Sequence, residues 1–176
     1  MAAPTPKVEI GFDLSTNPIA PFFKLDDPVQ GRLDNTEYRL GGTIFYDVTS
    51  YVRNISLSRG RTQAFATFPV AEAQVDFNNH DRTFDPLYVS SPFFGQIIPR
   101  REIRIYFNSI IVFTGFIEDW DLGYTPDGDS MAAAKAFDSS YILSTQVLDA
   151  FTPTEQLAGA RINAALDKPE IAWPVA

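Results

Sequence analysis

The sequence contains no cysteine and only one histidine, His80, among its 176 residues. Without thiols the chain can form no disulfide, no cysteine-ligated zinc site, no iron–sulfur cluster and no cysteine nucleophile. A single imidazole excludes metal sites that need two histidines, and a serine triad would have to be built around His80 itself. The composition therefore disfavours most hydrolase chemistry.

Basic residues and long apolar runs are also scarce. The chain has 14 Lys plus Arg against 22 Asp plus Glu, a net charge of −8, whereas gripping nucleic acid requires a concentrated basic face. No segment approaches the ~20 apolar residues of a membrane span, and residues 1–12 lack the apolar run of a signal peptide. We expect a soluble protein, made in the cytoplasm, with the size of one domain.

What the sequence does contain is alternation of apolar and polar residues, which predicts strands with one buried face. In "KVEIGFDL" the alternating apolar residues are Val8, Ile10, Phe12 and Leu14. Strands are predicted at 7–14, at 43–46, through Ile55 and Leu57 up to Gly60, at 71–79, at 103–107 with a return from Val112 after a tight turn at Asn108-Ser109, and at 131–137. The predicted fold is mainly β, an antiparallel barrel or sandwich.

Residues 15–43 differ from this pattern, since they carry three prolines, three glycines and only short apolar pieces. Such a composition predicts an extended arm or a long ordered loop rather than a packed layer. We expect this arm to lie on a neighbouring subunit.

Two arginines, Arg59 and Arg61, flank Gly60 and raise the question of a phosphate site. A phosphate cradle needs more glycines and a following helix. A turn glycine with positive φ is the better interpretation of Gly60.

Residues 76–87, "DFNNHDRTFDPL", are the candidate for a calcium loop of the D-x-[DN]-x-[DN]-G type. Asp76 and Asn78 fit this pattern. However, His80 stands at the fifth position, Asp81 replaces the glycine, and Leu87 stands where the bidentate glutamate belongs. The sequence therefore predicts no calcium site here.

The same segment has the composition of a wide turn from strand to loop. Asn78, Asn79 and Asp81 tolerate left-handed and Asx-turn geometry, and Pro86 keeps the preceding residue extended. We expect His80 to be an exposed residue of this turn.

A carboxylate pair beside an aromatic residue occurs in "EDWD" and invites comparison with glycosidases. Alternation places Glu118 and Trp120 on one face of the strand and Asp119 and Asp121 on the other. Adjacent acids then point apart, and charges that discourage strand aggregation are the simpler explanation. We predict no catalytic, cofactor-binding or metal-binding residues in this chain, and therefore no enzyme.

Helical signals appear only after residue 137. "DSSYILSTQVL" predicts a short helix capped by Asp138 or Ser139. A second helix is predicted from Thr152 as N-cap, with Pro153 at its first position and Glu155 as capping-box partner, up to Pro169. Its apolar stripe should dock on another surface and comprises Leu157, Ala158, Ile162, Ala165 and Leu166. We divide the chain into a β domain, 1–137, and a helical segment, 138–176, whose apolar end suggests that a further region follows.

Five segments in order resemble the N-terminal region of minor tail proteins of long-tailed phages, of the baseplate or tail-hub type. The resemblance spans about residues 7–168. The five segments are "FKLDDPVQGRLDNTEYRLGGTIFYDVTSYVRNISLSRGR", "AQVDFNNHDRTFDP", "SPFFGQIIPRREIRI", "VFTGFIEDW" and "AFDSSYIL". The family element L-x-N-x-D-x-x-F-x-P corresponds to "DFNNHDRTFDP", and its F-T-G hairpin element to Phe113–Gly115.

The resemblance implies a structural protein of the virion rather than an enzyme. Hubs of this family close the distal end of the tail tube, are related in fold to tube proteins and assemble as trimers. It therefore implies a homotrimer at the tail tip, with the distal tail protein and the tape measure protein as partners and genomic DNA passing through.

The excess of acidic residues fits such a role, because a negative lumen repels phosphate and lets DNA slide. The alternative is a β-sandwich that binds carbohydrate on the host surface, which the aromatic content of 14% and Trp120 would suit. A cell-wall hydrolase is the least favoured function.

Overall fold

In the computed structural model, the described residues are 4–13, 23–32, 34, 38, 42–60, 69–145, 147–149, 152, 155, 157–169 and 171. Over these residues the chain forms seven strands, a single 3₁₀ turn at Thr49–Tyr51 and two short helices. The strands are β1 (Pro6–Asp13), β2 (Thr43–Asp47), β3 (Val52–Ser58), β4 (Glu72–Asn78), β5 (Glu102–Phe107), β6 (Ile110–Tyr124) and β7 (Ser130–Phe137). The helices are α1 (Ser140–Thr145) and α2 (Ala158–Leu166). No helix within these ranges is long and apolar enough to cross a membrane.

All seven strands belong to one antiparallel sheet in the order β2-β1-β5-β6-β7-β4-β3. The two edge strands, β2 and β3, are consecutive in the chain and are joined only by residues 48–51. This corner is fixed to β1, since Val48 N donates to Val8 O at 2.9 Å and Val8 N donates to Thr49 Oγ1 at 2.9 Å. The sheet therefore curls until its edges meet at one corner, and the prediction of a mainly β, antiparallel fold is confirmed.

The core lies on the inner face of this curled sheet. Alternation in the strands is confirmed, with Val8, Ile10 and Phe12 of β1 fully buried; Leu14 lies outside the described residues. The other strands contribute Ala73, Val75, Phe77, Ile103, Ile105, Phe113, Ile117, Ala132, Ala134 and Ala136. Because β7 supplies only alanines, the remaining volume is filled from the connection between β4 and β5, by Phe84, Phe93 and Ile97.

The turns follow the residues predicted for them. Asn108 and Ser109 have φ of 49° and 66°, the geometry of the type I′ turn expected for this hairpin. Gly60 has φ of 83°, so its interpretation as a turn glycine is confirmed. Arg82, with φ of 56°, takes the left-handed conformation that we expected of Asn78, Asn79 or Asp81.

The C-terminal helices differ in how well the sequence predicts them. Asp138 caps α1 as expected, since its Oδ1 accepts from Ser140 N at 3.0 Å. The predicted start of the second helix is wrong, because α2 begins at Ala158 after an extended Leu157, with no side-chain cap; Thr152 and Glu155 are not helical. No residue of α2 is buried, and a short helix depends on packing more than on a capping signal.

The predicted docking of the α2 stripe is also not seen among the described residues. Leu157 and Ile162 are 84% and 59% exposed, and no residue of the helix is buried.

Most of the expected arm, including residues 15–22, lies outside the described residues. Its described part, 23–32, closes on itself: Val29 N and Gln30 N both donate to Asp27 Oδ1 at 2.9 Å, and Gly31 N donates to Asp27 O at 2.8 Å. Leu25 and Val29 remain exposed.

Candidate functional site

The turn at residues 78–86 is built by its asparagines. Asn78 Oδ1 accepts from His80 N at 3.2 Å, an Asx turn, and from Arg53 Nη2 at 2.9 Å. Asn79 is fully buried, and its Oδ1 accepts from Phe84 N at 2.8 Å. His80 and Asp81 are exposed, so the interpretation as a wide turn from strand to loop is confirmed.

This turn places the side chain of Phe84 in the core. Its ring stacks on Phe77 with centroids 4.6 Å apart, lies 5.9 Å from both Phe93 and Trp120, and meets the edge of Tyr51 at 5.4 Å. The side chain is fully buried. The turn is therefore a plug that closes one end of the curled sheet.

Asp85 holds the plug from the next position, and sequence reasoning missed this role. Its nearly buried carboxylate accepts from Leu87 N at 2.9 Å, from Arg82 Nη2 at 2.7 Å and from Tyr124 OH at 3.2 Å. The Leu87 N–H, followed by the Arg82 guanidinium, holds the pKa of Asp85 below its usual value. The Asp-Pro dipeptide was the one signal in the sequence for this anchor.

Beyond Asp85 the connection continues as a ladder of turns spaced three residues apart. Asp85 N, Tyr88 N, Ser91 N and Phe94 N each donate to the carbonyl three residues earlier, at 2.9–3.2 Å. We call residues 82–94 the turn segment. The turn segment is fixed on its inner side, since Ser91 Oγ donates to Thr83 O and Phe93 is buried in the core. The segment is a rigid connection rather than a loose loop.

The carboxylates of "EDWD" lie on a strand that pairs with β7. A register shift between Ile117 and Asp119 places Glu118 at a bulge, after which Asp119 lies opposite Lys135 and Asp121 opposite Ala133. Trp120 turns inward, packs on the core and donates from Nε1 to Ile98 O at 3.4 Å. The carboxylates therefore do not converge on a common point beside the aromatic ring.

The outer surface of β4, β7 and β6 carries acids on the two strands that flank β7. Asp76, Ala133 and Asp121 form one row across the three strands, and Gln74, Lys135 and Asp119 form the next. The carboxylates of Asp76 and Asp121 therefore lie on either side of Ala133. Neighbouring strands are about 4.8 Å apart. We call Asp76, Asp119 and Asp121 the acidic strand face.

Among the described residues, no group of three or more histidines and acids is placed so that it could hold a metal ion. The nearby Arg53 is paired, bidentate, with Asp129 at 2.7 and 2.8 Å. Arg59 directly follows β3, and its Nη1 donates to Val112 O at 2.5 Å. Arg61 lies outside the described residues.

Comparison with known proteins adds a likeness in structure but none in sequence. No family model matches the sequence, and no curated protein is significantly similar to it. The chain is similar in structure to the 43 kDa tail protein of prophage MuSo2 from Shewanella oneidensis, with a TM-score of 0.40 and 13% sequence identity. The similarity covers 61% of this chain and 29% of that one, so the chain spans less than a third of that protein's length.

Proposed function

We propose that this chain is a structural component of a phage tail tip, of the baseplate-hub or minor-tail type. In that role it closes the distal tail tube as a homotrimer, contacts the distal tail and tape measure proteins, and lines part of the channel through which DNA leaves. The observation that carries the proposal is the acidic strand face on one continuous antiparallel sheet.

The segments that carry the family resemblance are the ones that hold the fold together. In "DFNNHDRTFDP" the Asn and Phe positions of the family element are Asn79 and Phe84. Phe84 N donates to Asn79 Oδ1, and the Phe84 ring fills the core. In the F-T-G element, a Cβ on Gly115 would collide with the Phe137 carbonyl oxygen. Each motif thus has a packing reason, which supports a family built on this scaffold rather than on a catalytic site.

The acidic strand face supports the proposal that this chain lines a DNA channel. Asp76 and Asp121 flank Ala133 with no basic residue in the row, and the chain as a whole carries −8. Lys135 lies opposite Asp119 in the next row, so the three acids of the face outnumber its one lysine. A surface with this net negative charge repels phosphate oxygens, which favours sliding.

The carbohydrate alternative rested on Trp120 as a stacking platform. Its ring lies 5.9 Å from Phe84 and 6.2 Å from Phe77, within the aromatic plug. This position favours a role in packing and gives the alternative no specific support.

The direct test is imaging of assembled particles in which this chain carries a label at Ala176. We expect a ring of label at the tail tip. Label distributed along a side fibre would contradict the proposal and favour the carbohydrate alternative.

The channel is tested by reversing charge on the acidic strand face with Asp76→Lys/Asp121→Lys. A matched control, Asp149→Lys/Glu155→Lys, makes the same charge change at two exposed acids outside the sheet. The strand-face variant should assemble normally but eject DNA slowly, whereas the control should eject at the normal rate. Normal ejection from both would mean that the acids serve solubility alone.

A further inference from the structure

The long strand β6 is paired along only part of one of its edges. Its partner on that edge, β7, ends with Phe137 opposite Phe116, whereas β5 pairs with β6 back to the hairpin turn. Residues 110–115 of β6 therefore have β5 on one side and no described strand on the other. The chain leaves β7 at this point and begins α1 at Ser140. We call residues 112–114 the open edge.

The backbone of the open edge points away from β5. Ile117 N donates to Arg101 O at 2.8 Å, on the β5 side. Backbone groups alternate between the two sides along a strand, so three residues earlier the N–H and C=O of Thr114 point to the other side. Val112 stands at a register shift of the β5–β6 pair, and its carbonyl accepts from Arg59 on that same side. The open edge therefore presents backbone groups with which a further strand could pair.

A groove with a volume of about 620 Å³ lies beside the open edge. Besides residues 112–114, Pro69 and Ala71 line it with apolar surface, and Asp138 lines it beyond the end of β7. The Asp138 carboxylate is already used within the fold, since Ala71 N and Ser140 N donate to it at 3.3 and 3.0 Å. A groove of this size is within the range of ligand sites.

The charge in the groove comes from Arg59. It is the one basic residue in the described lining, and it forms no ion pair with any residue that the structure describes. Its bond to Val112 O engages one N–H of the five that a guanidinium carries. The planar fork of arginine matches the two oxygens of a carboxylate. Arg59 can therefore take an acidic side chain that enters the groove.

We propose that the open edge and Arg59 bind an extended segment of a partner protein that carries an acidic side chain. A second backbone in extended conformation repeats its donors and acceptors at the spacing of a strand, so it complements the open edge. Arg59 then pairs with the carboxylate and fixes the register of the segment. Nucleic acid is disfavoured as the occupant, because the described lining has one cation and the whole chain carries −8. That the partner is another tail protein rests on the proposed function; the binding mode does not.

The test is selection of binders to the purified full chain from a yeast-displayed library of random short peptides. We expect the selected peptides to be rich in β-branched residues, which favour strands, and to share one Asp or Glu. The tightest of them is then added to the isotopically labelled chain. The amide resonance of Thr114 should shift, because its N–H gains a hydrogen-bond partner.

Three variants separate the backbone contribution from the charge. Thr114→Pro removes the N–H on the open edge, and the matched control Thr114→Val keeps it while changing the same exposed side chain. Arg59→Gln removes the charge and leaves the backbone intact. Thr114→Pro and Arg59→Gln should each raise the dissociation constant of the selected peptide roughly tenfold or more, and Thr114→Val should leave it unchanged. Replacing the peptide's acid with its amide should abolish the effect of Arg59→Gln.

The proposal is overturned if no peptide is enriched, if the selected peptides lack an acidic residue, or if Arg59→Gln binds them as tightly as the wild type does. Selected peptides that match a stretch of this chain's own sequence would also overturn it, because the occupant would then be the chain itself. If Thr114→Pro does not melt cooperatively, Arg59→Gln and the Thr114 amide shift decide the outcome. Imaging of particles reads position rather than peptide binding, so the two proposals fail separately.

Discussion

Replacing Phe84 with alanine tests whether the turn at residues 78–86 is a structural plug. The side chain is fully buried and its ring contacts four other aromatic rings. A buried Phe→Ala substitution costs about 3–5 kcal/mol through lost transfer free energy and the cavity left behind. The β7 wall consists of alanines held in a paired strand, so the site has little means of collapsing, and we expect the upper half of that range.

The assay is equilibrium unfolding in urea, followed by circular dichroism, with a thermal melt in parallel. For a chain of this length each 1 kcal/mol shifts the melting temperature by about 2–4 °C, so Phe84→Ala should lower it by roughly 8–20 °C. The matched control is Phe94→Ala, ten residues further along the same connection at 38% exposure. We expect the control to lose no more than about 1.5 kcal/mol.

Equal losses from the two variants would refute the plug. A loss below about 1.5 kcal/mol for Phe84→Ala would do the same, because that value is too small for a cavity of this size.

Three further predictions concern Asp85, the exposed residues of the turn and the arm. Asp85 has a folded-state pKa below its usual 3.8, so its stabilising contribution is present above that value and is lost as the pH falls through the folded pKa. Asp85→Asn should therefore flatten the acid limb of a curve of unfolding free energy against pH. An unchanged acid limb would contradict this. His80→Ala and Asp81→Ala should leave infectivity and any calcium dependence unchanged, and a calcium affinity lost in either variant would reverse our interpretation of the turn. Replacing residues 14–42 with Asn-Gly should preserve a cooperative melt, since Asp13 and Thr43 are already paired across β1 and β2 and a two-residue turn can join them. The same change should abolish assembly, because the arm is expected to lie on a neighbouring subunit. Loss of the cooperative melt would place the arm in the core.

The strands and hairpin turns could be predicted because their signals are local. Alternation placed Val8, Ile10 and Phe12 inside, and Asn108-Ser109 tolerate the positive φ that a tight hairpin demands. Each of these signals is decided within a few residues, so tertiary packing had nothing to override.

The plug could not be predicted because its parts are distant in sequence. Phe84 meets Tyr51, Phe77 and Trp120, and Asp85 meets Tyr124, which only the strand order brings together. The prediction for the start of the second helix was wrong for the opposite reason. Its capping signal was strong, but α2 buries no residue, and a cap alone does not hold a short helix that lacks a docking surface.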